Sequence, residues 1–312
     1  MVKRRDFMRY VAGGVLVNFL DPATARGHGG ARKPGLTLRP YEWEGPYAEF
    51  RNRGARHDWR LCAELRAPWM RPEERLILRT SEIVGYEQAY LYDDHFPPYQ
   101  PEGRGKGYRH IPFEWRETSG DEEFSADCPV PGHGRFWLDL SARSDYLDIG
   151  LGIQNGLDRP MGKVDWHFCV VGLESRFSDS ERKRTYLFDE GRLRTFNELS
   201  GGPKMELFNV DGAGGFVPVG HEMLPVSPAT AEAPLVIVES TDRQHVAALA
   251  FERAYSIYGD PVGNKCFHAD PYFGSLIQAG EERRIKGRLY VMPGTPQDAL
   301  DRFRSDFRFG AG

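Results

Sequence analysis

The 312-residue sequence predicts an all-β fold, an antiparallel β-sandwich of supersandwich or jelly-roll type that ends in one C-terminal helix. Three observations predict it. Short runs of alternating apolar and polar residues recur from residue 135 to 292, separated by clusters of Gly, Pro, Asp and Asn. No strand–helix–strand alternation, phosphate-cradling Gly-rich loop or Gly-x-Ser-x-Gly elbow breaks that series. Firm helical spacing occurs in one place only, after Thr295. Many short strands joined by Gly- and Pro-rich turns close into a sandwich or barrel.

The chain starts with a separate device. Lys3, Arg4 and Arg5 give a basic beginning, and Asp6, Phe7, Met8 and Arg9 follow. Residues 10–20 are largely apolar, and Ala23, Thr24 and Ala25 supply small residues for cleavage. A charged start, short apolar middle and small-residue exit are the parts of a secretory signal. The paired arginines, the Phe7–Met8 pair and Arg9 resemble the twin-arginine motif, with Lys3 where Ser or Thr often stands. About 11 apolar residues fall well short of the roughly 20 that span a bilayer as a helix. The expectation is a signal peptide over residues 1–25, a twin-arginine translocase as transient partner, a periplasmic or extracellular destination and no permanent membrane anchor.

Residues 26–57, rich in Gly, Arg and Pro, read as a linker and N-terminal extension, and 58–312 as one β-sandwich domain. Removing residues 1–25 takes away four basic and two acidic residues, moving the formal charge from −4 to −6. That balance offers no attraction to phosphate backbones, so nucleic acid is not an expected partner. Cys62, Cys128, Cys169 and Cys266 are widely spaced, with no metal-ribbon pair. One or two disulfides or four buried thiols both remain open, and spacing does not choose among the three possible pairings.

Within the domain, residues 59–65 alternate loosely and 83–92 are rich in β-branched and aromatic residues. Residues 97–134, with six prolines, read as a long irregular stretch. Phe136, Leu138 and Leu140 then alternate with Trp137, Asp139 and Ser141. Leu147, Ile149, Leu151 and Ile153 share one face, opposite Asp148, Gly150, Gly152 and Gln154. Residues 155–160 form a turn by composition. Residues 164–173 are apolar enough for a central strand, and 183–188, 235–239, 246–251 and 288–292 continue the pattern. Thr295, Pro296 and Asp298 give a capping-box start, and Leu300, Phe303 and Phe307 share a face, so the last helix closes over a sheet.

The run 147–160, with apolar alternation followed by Asn155 and a turn ending in Pro160, resembles the large sandwiches of galactose-mutarotase-like and polysaccharide-lyase type. The tail from Ile277 through Gly280 and Glu281 into residues 285–290 is similar to the last strand of exported carbohydrate-active sandwiches. The likeness spans residues 135–308. It implies a concave sheet that faces sugar and brings no catalytic residue with it.

Three polar groups could carry chemistry. In the Gly- and Pro-punctuated stretch 258–274, His268 and Asp270 stand two apart, sharing a face if the chain is extended, with Tyr272 beyond. In 165–169, Asp165, His167 and Cys169 share a face opposite Trp166 and Phe168. A buried Asp and His are costly in a central strand unless paired or facing a cleft. The third group is Tyr90, Tyr92, Asp93, Asp94 and His95, suited to sugar faces, hydroxyls or calcium, or simply to a solvated strand end. His110, His133, His221 and His245 stand alone.

Two chemistries fit. A lyase uses His167, His268 or Tyr272 to take the proton beside a uronate carboxylate, with Arg135 or Arg253 neutralising the enolate. A hydrolase uses Asp165 and Asp270 about 5–10 Å apart. The expected catalytic set is Asp165, His167, His268, Asp270 and Tyr272, with Tyr92, Arg135, Trp166 and Arg253 binding a carbohydrate or other small ligand. The alternatives are a sugar-binding module without chemistry, whose histidines lie apart, and a metal-dependent oxidoreductase or cupin-like enzyme holding a divalent metal on His167, His268 and one of Asp270, Asp94 or His95.

Overall fold

The computed structural model describes residues 35–41, 62–87, 89–93, 116–117, 122–213, 224–263 and 265–309. The signal peptide, most of the 26–57 extension, Asp94, His95, His110 and His221 lie outside them, as do the side chains of Tyr90, Tyr92 and Asp93. None of the described helices is long and apolar enough to cross a membrane.

The domain is a β-sandwich. One sheet, A, holds β1 (Thr37–Pro40), β2 (Cys62–Arg66), β3 (Leu76–Tyr86), β4 (Ala89–Asp93), β10 (Val164–Val171), β13 (Leu207–Val210), β14 (Val226–Ala231), β17 (Ala254–Tyr258) and β18 (Cys266–Pro271). The other, B, holds β5 (Arg116–Glu117), β6 (Glu123–Val130), β7 (Gly134–Ala142), β8 (Tyr146–Asn155), β11 (Thr185–Asp189), β12 (Arg192–Thr195), β15 (Leu235–Glu239), β16 (His245–Phe251) and β20 (Glu282–Pro293). β9 (Met161–Gly162) and β19 (Leu276–Ile277) pair as a small ribbon. The helices are α1 (Phe196–Ser200) and α2 (Pro296–Phe307). Pairing is antiparallel throughout except between β13 and β14, which run parallel.

Strand alternation builds the core. Leu147, Ile149, Leu151 and Ile153 point inward from sheet B, meeting Trp166, Phe168 and Val170 of sheet A. Edge-to-face contact of Phe136 with Trp166, 5.4 Å between centroids, links the two layers. On the outer face of sheet B, Leu235, Ile237, Ala248 and Ala250 form a second cluster with Ala299, Leu300 and Phe303 of α2. The helix starts on the expected capping box, with the Thr295 side chain accepting from the Asp298 N–H.

Two segments depart from the sequence reading. The supposed irregular stretch 97–134 contains β6, in which Phe124, Ala126, Cys128 and Val130 are buried in alternation. Among the described residues β5 pairs with Ser125 and Phe124 of β6, so Pro129 falls outside that ladder, where a missing N–H is tolerated. The stretch 258–274 is not a loop around His268 and Asp270, because both sit in β18 near the middle of sheet A. None of the four cysteines forms a disulfide, and all four are buried.

Candidate functional site

Sheet A orders its strands β3–β10–β18–β17 at the centre, bringing together stretches about a hundred residues apart. Cys169 lies opposite His268, and His268 opposite Tyr258. Inward positions Trp166, Phe168, Phe267 and Ala269 join the sandwich core. Asp165, His167, Cys169, Cys266, His268 and Asp270 occupy the alternate positions and therefore the opposite face.

Two register shifts complete the cluster. On β17, Ala254 pairs with Pro271 and Ser256 with Asp270, so Tyr255 is an extra residue. A bulge of this kind re-aims a side chain, and the Tyr255 hydroxyl donates a short hydrogen bond to Asp165. On β3, Arg79 pairs with Cys169 and Ile83 with His167, so three residues of β3 face one of β10. That irregularity brings Arg79 and Glu82, three apart, into a short buried ion pair. The Glu82 carboxylate also lies 3.7 Å from His268 Nδ1.

His167 is held from both sides. Its Nε2 lies 2.9 Å and 3.0 Å from the two Asp165 oxygens, and its Nδ1 is 3.3 Å from the Tyr258 hydroxyl. The Tyr258 ring in turn stacks on His268. His268 Nε2 is 3.1 Å from the Cys266 sulfur. The Ser256 hydroxyl donates to Asp270 at 2.7 Å, while the other Asp270 oxygen is buried with no hydrogen-bond partner. His268 is 2 % exposed, and Asp165, His167 and Asp270 are fully buried.

Burial and mutual charge set the protonation states. Burial alone would lower His167, but the Asp165 and Asp270 carboxylates overcome it and raise it to about 9. Burial raises Asp270, and the two imidazoles hold it back to about 7. Burial also pushes the Tyr255 and Tyr258 phenols well above their ordinary value. Cys266 is drawn down, first by the hydrogen bond from Cys169 and then by His268, whereas burial pushes Cys169 up.

The face thus gathers Asp165, His167, His268 and Asp270. The remaining expected residues lie elsewhere. Trp166 is a correction: it faces the sandwich core with its indole N–H donating to the Thr80 carbonyl at 2.8 Å, so it has no surface to offer a ligand. Arg135 is on sheet B, between Asp127 and Glu282 and over Trp137, the wrong sheet for an enolate at His167. Arg253 is exposed in the β16–β17 turn, where only its carbonyl is engaged, by the Tyr272 N–H. Tyr272 is half-buried just past the end of β18, and among the described residues no side-chain hydrogen bond joins it to the cluster. Tyr92 belongs to β4, its side chain outside the described residues. Asp165 is engaged by His167 and Tyr255, which removes it from the role of a free flanking carboxylate.

Sequence reasoning missed Arg79, Glu82, Tyr255, Ser256 and Tyr258. The polar run 79–82 inside an otherwise apolar strand was the available signal for the first two. As for a metal, the ligand group among the described residues combines His268 with Cys169 and Cys266, not with His167 and Asp270. A surface cavity of about 750 Å³ lined by Arg66, Arg71, Glu74, Arg75, Glu174 and Arg176 contains none of the cluster.

No protein-family profile matches the chain, and no characterised protein matches it in sequence. Solved structures resemble it at low identity. An alpha-N-acetylgalactosaminidase from Bifidobacterium bifidum is 14% identical at TM-score 0.45, over 88% of this chain and 37% of its own. A galactose mutarotase-like protein from Clostridium acetobutylicum is 12% identical at TM-score 0.42, over 83% and 86%. A galactose mutarotase related enzyme from Lactobacillus acidophilus is 11% identical at TM-score 0.39, over 76% and 96%.

Proposed function

We propose that the protein is an exported, carbohydrate-active enzyme that works by proton transfer, of the polysaccharide-lyase type. The observation that carries the reading is the chain of contacts Asp165–His167–Tyr258 on one face of sheet A. Asp165 fixes the imidazole through Nε2, leaving Nδ1 directed at a phenol. A carboxylate that orients a histidine, with a hydroxyl on its other nitrogen, is the arrangement general acid–base catalysis needs. Asp270, with one unsatisfied buried oxygen, is the second proton carrier. The substrate class is supported by the likeness of residues 147–160 and 277–290 to carbohydrate-active sandwiches. Export to the periplasm or beyond is supported by the arginine pair and small-residue exit within residues 1–25.

The lyase is favoured over the hydrolase because Asp165 already serves His167 and Tyr255. The test is a panel of uronate-containing glycans, assayed for absorbance of an unsaturated product with wild type and His167→Ala. Activity lost on His167→Ala supports the reading. A wild type that binds one glycan and cleaves none replaces it with a binding module.

Full burial of the same groups favours a second reading, a sealed polar network that ties four strands together. It predicts no turnover and a fall in thermal midpoint for Asp165→Asn.

A further inference from the structure

We propose that Cys169, Cys266 and His268 bind one soft d10 metal ion, zinc(II) or copper(I), independently of any turnover at His167. The three donor atoms lie within 4.8 Å of one another, and all three residues are buried. They come from neighbouring strands: Cys169 lies opposite His268 on the β10–β18 ladder, and Cys266 is two residues before His268 on the same face. The His268 Nε2 to Cys266 Sγ separation is 3.1 Å. Ordinary zinc bond lengths at tetrahedral angles put a nitrogen and a sulfur ligand about 3.6 Å apart and two sulfurs about 3.8 Å apart. The His268–Cys266 pair therefore needs only a small expansion to flank an ion.

The surroundings suit that role. Thiolate and imidazole are the donors that select zinc and copper(I) over magnesium or calcium. The other imidazole nitrogen, Nδ1, faces the Glu82 carboxylate at 3.7 Å, the outer partner a metal-bound histidine usually has. Arg79 in turn holds Glu82. Ile77 and Val171 pack beside the two sulfurs and keep the site apolar on that side. Binding displaces the two thiol protons to solvent, so two thiolates and a neutral imidazole face the ion and a divalent charge is balanced there. The ion would link β10 to β18 across the ladder that carries His167.

The test uses the full chain, purified under reducing conditions without a metal-affinity tag. Elemental analysis should find close to one zinc or copper per chain and tell the two apart. Cys169→Ser and Cys266→Ser should lose the metal, whereas Cys128→Ser, in the core on the other sheet, should keep it. Glu82→Gln should weaken affinity about 10–100-fold. Because a ligand variant could simply misfold, wild-type protein is also unfolded, stripped and refolded with cobalt(II), where a thiolate-to-cobalt charge-transfer band is expected. Sub-stoichiometric metal together with no such band overturns the proposal. So does a Cys169–Cys266 disulfide found by peptide mapping of unreduced wild type.

Discussion

Tyr258 lies flat on the His268 imidazole, with 4.0 Å between ring centroids and 19° between planes. Its hydroxyl meanwhile reaches His167, so one side chain touches both histidines. Tyr258→Phe keeps the stacked ring and removes only the oxygen. The expected outcome is a stability loss of about 1 kcal/mol with a fall in kcat of about a hundredfold or more. Denaturant titration and the glycan assay on one preparation check it, and a fall in stability with no turnover by either protein points to the sealed network.

Arg79 and Glu82 form an ion pair at positions 0–6 % exposed. Breaking such a pair leaves a bare charge in the interior, so Arg79→Met or Glu82→Leu alone should destabilise by about 3–5 kcal/mol. The double replacement should cost less than the two singles combined. Urea unfolding of the four proteins in the cycle measures this, and simple additivity would show that the two side chains do not act as a pair.

Glu74 predicts an acid-sensitive seam away from the cluster. Burial would raise its carboxyl, but hydrogen bonds from Arg176 and Arg71 outweigh burial and hold it at about 2. A carboxyl depressed on folding stabilises above its unfolded value and loses that contribution as pH falls. Stability from this site is therefore complete above about 4.5 and disappears as pH drops toward about 2. Thermal midpoints of wild type and Glu74→Gln should differ near neutrality and converge at the acid end of that window.

Helix α2 predicts a graded series. Phe303 is fully buried against sheet B, so Phe303→Ala should cost about 3–5 kcal/mol. Thr295→Ala removes only the cap, whose oxygen accepts from the Asp298 N–H at 3.3 Å, and should cost about 1 kcal/mol. Parallel denaturant melts test the order of the two effects.

Much of the sandwich was legible because period-2 patterning survives in long regular strands. Residues 147–153 alternate in sequence as they do in space, and the capping box at Thr295 is local chemistry. The pairing of residues 165–169 with 266–270 was not legible, since strand order comes from long-range packing and not from either segment alone. Tyr255 and Glu82 were hidden for a different reason. Alternation assigns a face only while the register holds, and both residues reach the cluster through a register shift. Alternation already set Trp166 opposite His167, but a strand pattern alone does not say which of its two faces is the sealed one, and Trp166 lies in the core between the sheets.

The handover at Trp166 and His167 divides β10 between two masters. Even-numbered side chains answer to the hydrocarbon layer between the sheets, and odd-numbered ones to the charged assembly behind it. Deleting a single residue upstream within this strand would exchange the audiences, thrusting an imidazole among phenylalanines and an indole among carboxylates. Drift at individual positions can therefore tune either layer separately, while a change in the strand's length disrupts both at once.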